Sequence, residues 1–280
     1  MKAEFYENVG KRIQCRLCPH RCEIPDRSYG FCRVRKNEDG ELKAESYGRL
    51  TSLALDPVEK KPFYHFCPGS RILSVGSYGC NMKCGFCQNH EISQRRAEWE
   101  YLPPEKLADL ARQTKGNIGV AFTYNEPTIG MEYLLDAAPL VKRAGLKVAL
   151  VSNGQVSAEP LARLLPFTDA WNIDLKAFTE RFYRLHGGDL ETAKQSIAMA
   201  ARAAHVEVTT LVIPGENDGA EEIAALSGWL AGISPEIPLH LSRFFPRYRM
   251  ADRPPTPKET LSGLAEVARK YLRHVYLGNV

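Results

Sequence analysis

From residue 71 to the C-terminus, the sequence alternates short apolar runs with segments of helical periodicity. The apolar runs are rich in Val, Ile and Leu and are bounded by Gly, Pro or Asn, as is typical of strands buried on both faces of a sheet. The predicted strands cover residues 71–76, 118–124, 147–153, 170–176, 205–214, 238–242 and 275–280.

The segments between these runs have the spacing of amphipathic helices. Leu107, Leu110 and Ala111 recur at i, i+3 and i+4, and Gly145 occupies the position where a left-handed residue ends a helix. The predicted helices cover residues 103–115, 126–145, 157–165, 178–186, 189–204, 219–232 and 257–272.

Strand and helix alternate about six times, which indicates parallel strands joined by crossover helices. The predicted fold is therefore α/β, a partial (β/α)6 barrel of the TIM type, with an open doubly wound sheet as the second choice. In either architecture, chemistry collects at the carboxyl ends of the strands.

Composition places few limits on function but does suggest a compartment. The 280 residues carry a net charge of only +4, and no apolar stretch predicts a signal peptide or a membrane span. Eight cysteines without an export signal indicate a reducing compartment, so we expect a cytoplasmic protein whose clustered cysteines bind metal. We divide the chain into a Cys-rich N-terminal extension, residues 1–68, and a barrel with a C-terminal helix and strand, residues 69–280.

Three cysteines lie within eight positions just after the first predicted strand. Cys80, Cys84 and Cys87 form a C-x₃-C-x₂-C loop. A cubane iron–sulfur cluster has four irons, and most clusters take four thiolates. Three thiolates leave one iron open, and an open coordination position is the mark of a site that performs chemistry.

This loop, with Phe86 before its last cysteine, resembles the motif of radical S-adenosylmethionine (SAM) enzymes. The string "GCNMKCGFCQN" is similar to the activating enzymes of pyruvate formate-lyase and other glycyl radical enzymes. The resemblance implies a 4Fe–4S cluster on Cys80, Cys84 and Cys87, with SAM chelated by the open iron. It also implies an oxidoreductase reaction in which one electron cleaves SAM and the resulting 5′-deoxyadenosyl radical abstracts hydrogen.

The resemblance further implies two partners besides SAM. One is a one-electron reductant such as flavodoxin or ferredoxin, and the other is a substrate that could be a glycine of a partner protein.

Two segments at strand ends resemble the part of these activases that holds the SAM amino group and ribose. In "TYNEP" (123–127), Glu126 occupies the acid position for the amino group; it could also simply favour a helix N-terminus. In "VSNG" (151–154), Ser152 or Asn153 could bind the ribose, although Asn-Gly is also a common turn dipeptide.

Two further segments resemble other SAM contacts. In "NIDLK" (172–176), Asp174 and Lys176 alternate with apolar residues and therefore project from one face, where they could pair with the zwitterion of SAM or with each other. His240 matches a SAM-contacting histidine, although a lone histidine on a strand is often a core residue.

Four more cysteines lie in the N-terminal extension with the spacing C-x₂-C-x₃-C-x₉-C. Together with "DPVEKKPFYHFCPGS" (56–70) and "RFFPRYRM" (243–250), this motif resembles the AmmeMemoRadiSam-system radical SAM enzymes. The four thiols could bind zinc or a second cluster, or could remain reduced. These cysteines are Cys15, Cys18, Cys22 and Cys32.

The substrate does not follow from these motifs. The segment 243–253 interleaves arginines with aromatic residues, which could hold RNA, a partner protein or an anionic small molecule, or could cover the mouth of the barrel. The competing functions are therefore radical SAM modification of RNA or of a small molecule, and a Cys-rich metal-binding module without catalysis. Nucleic acid is the less favoured partner, and no membrane contact is expected.

Overall fold

The computed structural model describes residues 1–95 and 97–280. The first 68 residues, for which no secondary structure was predicted, form short antiparallel strands. Three of them make one small sheet, two make a hairpin, one pairs with a short strand at Glu100–Tyr101, and the last joins the main sheet. These strands are β1 (Tyr6–Val9), β2 (Arg12–Cys15), β3 (Glu23–Pro25), β4 (Arg35–Glu38), β5 (Glu41–Ala44), β6 (Arg49–Leu50) and β7 (Ser52–Pro57).

Seven parallel strands in chain order form the main sheet, and β7 pairs antiparallel with the first of them. All seven predicted strands are confirmed, with ends that differ by one or two residues. They are β8 (Arg71–Gly76), β10 (Asn117–Phe122), β11 (Lys147–Ser152), β12 (Ala170–Asp174), β13 (His205–Val212), β14 (Leu239–Arg243) and β15 (Val275–Gly278), while β9 (Glu100–Tyr101) pairs with β6.

The predicted crossover helices are also confirmed. Gly145, with φ of 77°, follows the helix that it was predicted to end. The predicted helix at 126–145 begins later, because residues 127–130 form a 3₁₀ turn. The helices are α1 (His90–Ser93), α2 (Pro104–Gln113), α3 (Met131–Arg143), α4 (Ala158–Leu164), α5 (Glu180–Leu185), α6 (Leu190–Ala201), α7 (Ala220–Ile233) and α8 (Lys258–Ala268).

The sheet is a partial barrel with β7 and β15 as its two outer strands, which do not pair with each other within the described residues. One face packs against the crossover helices in the main apolar core. The other face is lined by small residues, Ala121, Ala149 and Ala170, which contact Phe63 and Phe66 in a second core. Because these alanines occupy little space, the chain after β7 fits inside the curve of the sheet.

We call residues 57–66 the floor segment. It starts at Pro57, which pairs with Arg71 at the amino end of β8, so it fills the end of the barrel opposite the carboxyl ends of the strands. Asn172 of β12 donates its Nδ2–H to the carbonyl oxygen of Pro62 at 2.8 Å. Among the described residues, no helix has both the length and the apolar character needed to cross a membrane.

Candidate functional site

A cavity of about 630 Å³ lies at the carboxyl edge of the main sheet. All eight residues predicted for the cluster and SAM line this one cavity, although they come from segments as far apart as residues 80 and 240. They are Cys80, Cys84, Cys87, Glu126, Asn153, Asp174, Lys176 and His240.

The three loop cysteines lie between β8 and α1. Cys84 is buried, and Cys80 and Cys87 are half-buried. Burial raises the pKa of all three thiols, that of Cys84 to about 11. The metal-free thiols are therefore protonated at neutral pH, and metal binding would have to release these protons.

The sulfur of Cys80 accepts two hydrogen bonds. The backbone N–H of Met82 lies 3.3 Å from Sγ, and the side-chain Nδ2 of Asn153 lies 3.6 Å from it. Such donors orient a ligand and stabilise negative charge on sulfur, which is one way in which proteins tune cluster potentials.

Two asparagines fix the loop to neighbouring strand ends. Asn125 accepts from the backbone N–H of Ser77 at 2.9 Å and donates to the carbonyl oxygens of Tyr78 and Gly79 at 3.2 and 3.1 Å. Asn81 donates to the carbonyl oxygen of Gln155 at 2.7 Å. Sequence reasoning missed both roles, and for Asn125 the only available signal was its place after a strand.

Glu126 is buried, and its carboxylate accepts four hydrogen bonds from the protein, three at Oε1 and one at Oε2. Oε1 accepts from the backbone N–H and the hydroxyl of Thr128 at 3.0 and 2.7 Å and from the hydroxyl of Ser152 at 2.9 Å, and Oε2 accepts from the backbone N–H of Asn153 at 2.7 Å. An ionised carboxylate has about four acceptor positions. Glu126 therefore joins the end of β10 to the turn after β11, and its contact with SAM stays a prediction.

Asp174 and Lys176 lie side by side, as their alternation with apolar residues predicted. The Nζ of Lys176 lies 2.8 Å from Oδ2 of Asp174. Burial by itself would lower the pKa of Lys176, but the Asp174 carboxylate reverses this and raises it. The ammonium lies 5.8 Å from the centre of the Phe86 ring, so the aromatic residue before Cys87 also contacts this pair.

His240 is buried on β14, and its Nε2 lies 2.7 Å from Oε2 of Glu207 on β13. Glu207 was not predicted as part of the site. A charged residue inside the apolar run "HVEVTTLV" was the signal that could have revealed it, because a strand buried on both faces rarely carries an unpaired charge.

The arginine-rich segment after β14 contacts the cysteine loop. The backbone N–H of Arg249 donates to the carbonyl oxygen of Gly85 at 3.0 Å, and the Tyr248 ring stacks on His90 at 4.3 Å. Phe244 is buried, while Arg247 and Arg249 are exposed. The segment therefore covers the loop and presents Arg247 and Arg249 to solvent.

The four N-terminal cysteines lie in and beside the small sheet. Cys15, Cys18 and Cys32 are buried and Cys22 is half-buried. Burial, with the neighbouring thiols adding to it, raises the pKa of Cys18 to about 12. Over residues 1–95 and 97–280, no group of three or more His, Cys, Asp or Glu side chains could hold a metal ion.

The comparisons with known proteins agree with this geometry. Residues 74–227 match the model of the radical SAM superfamily. The chain belongs to the radical SAM superfamily. An uncharacterized protein of Methanocaldococcus jannaschii is 36% identical over 286 residues, covering all of this chain and 85% of its own.

Two more distant relatives carry informative names. The pyruvate formate-lyase-activating enzyme of Clostridium pasteurianum is 27% identical over 161 residues, 54% of this chain and 67% of its own. The structure of Streptococcus suis SuiB bound to S-adenosylmethionine superposes with a TM-score of 0.56 at 15% identity, covering 72% of this chain and 48% of its own. This second likeness shows the fold alone.

Radical SAM enzymes use a 4Fe–4S cluster and SAM, and the residues of this cavity suit both groups. Three cysteines line the cavity, and each thiolate can bind a different iron of a cubane. The three sulfurs therefore do not have to meet at a single metal ion. The adjacent Asp174–Lys176 pair offers one anion and one cation to a zwitterion.

Proposed function

We propose that this radical SAM enzyme cleaves SAM reductively and abstracts hydrogen from a substrate in the manner of the activating enzymes. The arrangement that carries the proposal is the single cavity in which three loop cysteines face polar residues from four different strand ends. When bound, the cluster would supply the electron that converts SAM to methionine and a 5′-deoxyadenosyl radical.

We propose specific roles for the chain's own residues. Cys80, Cys84 and Cys87 would bind three irons of the cluster, while the covering segment and the buried surroundings of Cys84 exclude water. Asp174 and Lys176 would pair with the charged groups of SAM. Each is now the other's partner of opposite sign, and each can exchange that partner for a SAM group of opposite charge, so neither charge would be left unpaired.

We also propose SAM contacts for Glu126, Asn153 and His240. Glu126 would lie beside the amino group of SAM and hold the turn at Asn153, whose side chain would serve the ribose. His240 would bind the nucleoside from β14. The four donors already on Glu126 support a role in shaping this edge of the cavity.

We propose a protein glycine or a small molecule as the hydrogen donor and flavodoxin or ferredoxin as the reductant. The similarity to a pyruvate formate-lyase-activating enzyme supports this choice, and we propose, from the motifs alone, that the chain belongs to the AmmeMemoRadiSam-system radical SAM enzymes. Exposed Arg247 and Arg249 beside the loop keep RNA as the second candidate substrate, for which salt-sensitive tRNA binding would be the evidence.

Anaerobic reconstitution with iron and sulfide tests the proposal. The brown protein should convert SAM to 5′-deoxyadenosine when dithionite is added, and Cys84→Ala should abolish that product. Cys67→Ala, which removes a half-buried cysteine outside the loop, is the matched control and should retain the activity. Wild-type turnover by Cys84→Ala would disprove the ligand assignment.

A further inference from the structure

Glu207 is a buried carboxylate that the predicted site does not explain. It is the third residue of β13 and is fully buried between the two neighbouring strands, β12 and β14. Burying an ionised carboxylate without partners is very costly, so the groups around it must compensate its charge.

Four donors surround this carboxylate. The backbone N–H groups of Tyr64 and His65 donate at 3.0 and 2.8 Å, and the Nε2 atoms of His205 and His240 lie 2.9 and 2.7 Å away. Burial opposes ionisation, but these donors together lower the pKa of Glu207 to about 2. Because an ionised carboxylate only accepts hydrogen bonds, both Nε2 atoms must carry a proton.

Two of the four partners belong to the cavity. Tyr64 and His240 both line it, and their rings meet edge to face at 4.8 Å. The His240 ring also stacks on Tyr276 at 5.5 Å, and Tyr276 in turn packs against Tyr64 at 4.9 Å, so the two tyrosines together restrict the orientation of the imidazole. Its second nitrogen, Nδ1, makes no hydrogen bond with any residue that the structure describes.

We infer that Glu207 is a positioning residue that fixes His240 in its Nε2–H form, leaves Nδ1 as an acceptor for the bound nucleoside, and holds the floor segment at Tyr64. One carboxylate thereby couples the wall of the cavity to a segment 142 to 143 residues earlier in the chain. The identity of the nucleoside rests on the proposed function. The hydrogen bonds themselves do not.

The first test needs neither a variant nor a cofactor. Long-range ¹H–¹⁵N correlation spectra of the apo protein should report His240 in the Nε2–H form, and the amides of Tyr64 and His65 should exchange slowly with deuterium. A proton on Nδ1 of His240, with or without one on Nε2, or amides that exchange at the rate of exposed residues, would overturn the inference.

The second test separates positioning from general stability. Glu207→Gln replaces one carboxylate oxygen, an acceptor, by an amide NH₂ group, a donor. Amide exchange at Tyr64 and His65 should therefore become faster. SAM binding to the reconstituted protein should weaken about tenfold, which corresponds to the loss of one or two hydrogen bonds. Glu236→Gln makes the same substitution at an exposed carboxylate that pairs with His274 at 3.1 Å and does not line the cavity, so it should leave SAM affinity at the wild-type level.

The outcomes distinguish the two proposals. A folded Glu207→Gln with wild-type SAM affinity would refute the positioning role while leaving the proposed function intact. A wild-type protein that forms its cluster but does not bind SAM would refute the proposed function itself. Should Glu207→Gln not fold, the tautomer and exchange rates of the wild-type protein decide.

Discussion

Gly79, the residue before Cys80, allows the cysteine loop to pass close to the N-terminal extension. Its φ is 85°, in the left-handed region, and a Cβ there would lie 2.7 Å from Cγ1 of Val34 and 2.8 Å from the carbonyl oxygen of Cys32. Gly79→Ala therefore combines backbone strain with a clash against backbone.

The magnitude follows from these two effects. A left-handed conformation costs a non-glycine residue about 1–2 kcal/mol, and overpacking adds about 1–3 kcal/mol. We expect Gly79→Ala to lower the free energy of unfolding by about 2–5 kcal/mol. Gly116→Ala is the matched control, because Gly116 has φ of 75° but no atom within 4 Å of its Cβ position, and it should lose only about 1–2 kcal/mol.

Urea denaturation of the reduced apo protein, followed by tryptophan fluorescence, measures both variants. Iron bound per chain after reconstitution provides a second readout and should fall for Gly79→Ala alone, because the clash displaces the peptide next to Cys80. Equal destabilisation of the two variants, together with wild-type iron content, would refute the reasoning about this contact.

Two further predictions concern buried charges. Arg35→Met should lower the free energy of unfolding, measured by urea denaturation, by about 3–5 kcal/mol, because Glu132, 2.8 Å from the guanidinium, would stay buried without its partner. The double variant Arg35→Met/Glu132→Leu should lose less, and an equal loss in the two variants would contradict this reasoning. The pKa of Glu207 is about 2, below its ordinary 4.5. The ionised Glu207 should therefore make its full contribution to the free energy of unfolding above pH about 4.5 and lose it as the pH falls towards 2. The urea midpoint of unfolding, measured at pH 5, 4 and 3, should decline less in Glu207→Gln than in the wild-type protein. Equal declines in the two proteins would count against the low pKa assigned to Glu207.

Local sequence patterns predicted the barrel well. Continuous apolar runs such as 71–76 specify strands buried on both faces, and their alternation with helical segments limits the topology to parallel strands. The alternation in "NIDLK" placed Asp174 and Lys176 on one face, and they form an ion pair. These predictions succeed because each depends on neighbours within one element.

The contacts that sequence reasoning missed join residues far apart in the chain. Glu207 binds the backbone of Tyr64 and His65, and Arg35 of the extension pairs with Glu132 of α3, 97 residues later. No local periodicity encodes such pairs. A charged residue within an apolar strand signals that a partner exists, but only the fold reveals which one.

The coordination of the cluster is the central claim, and Mössbauer spectroscopy of the reconstituted protein tests it most directly. A 4Fe–4S cluster held by three cysteines has one iron that differs from the others. Adding SAM is expected to change the signal of this one iron. A spectrum of four equivalent, fully thiolate-bound irons that SAM leaves unchanged would contradict it.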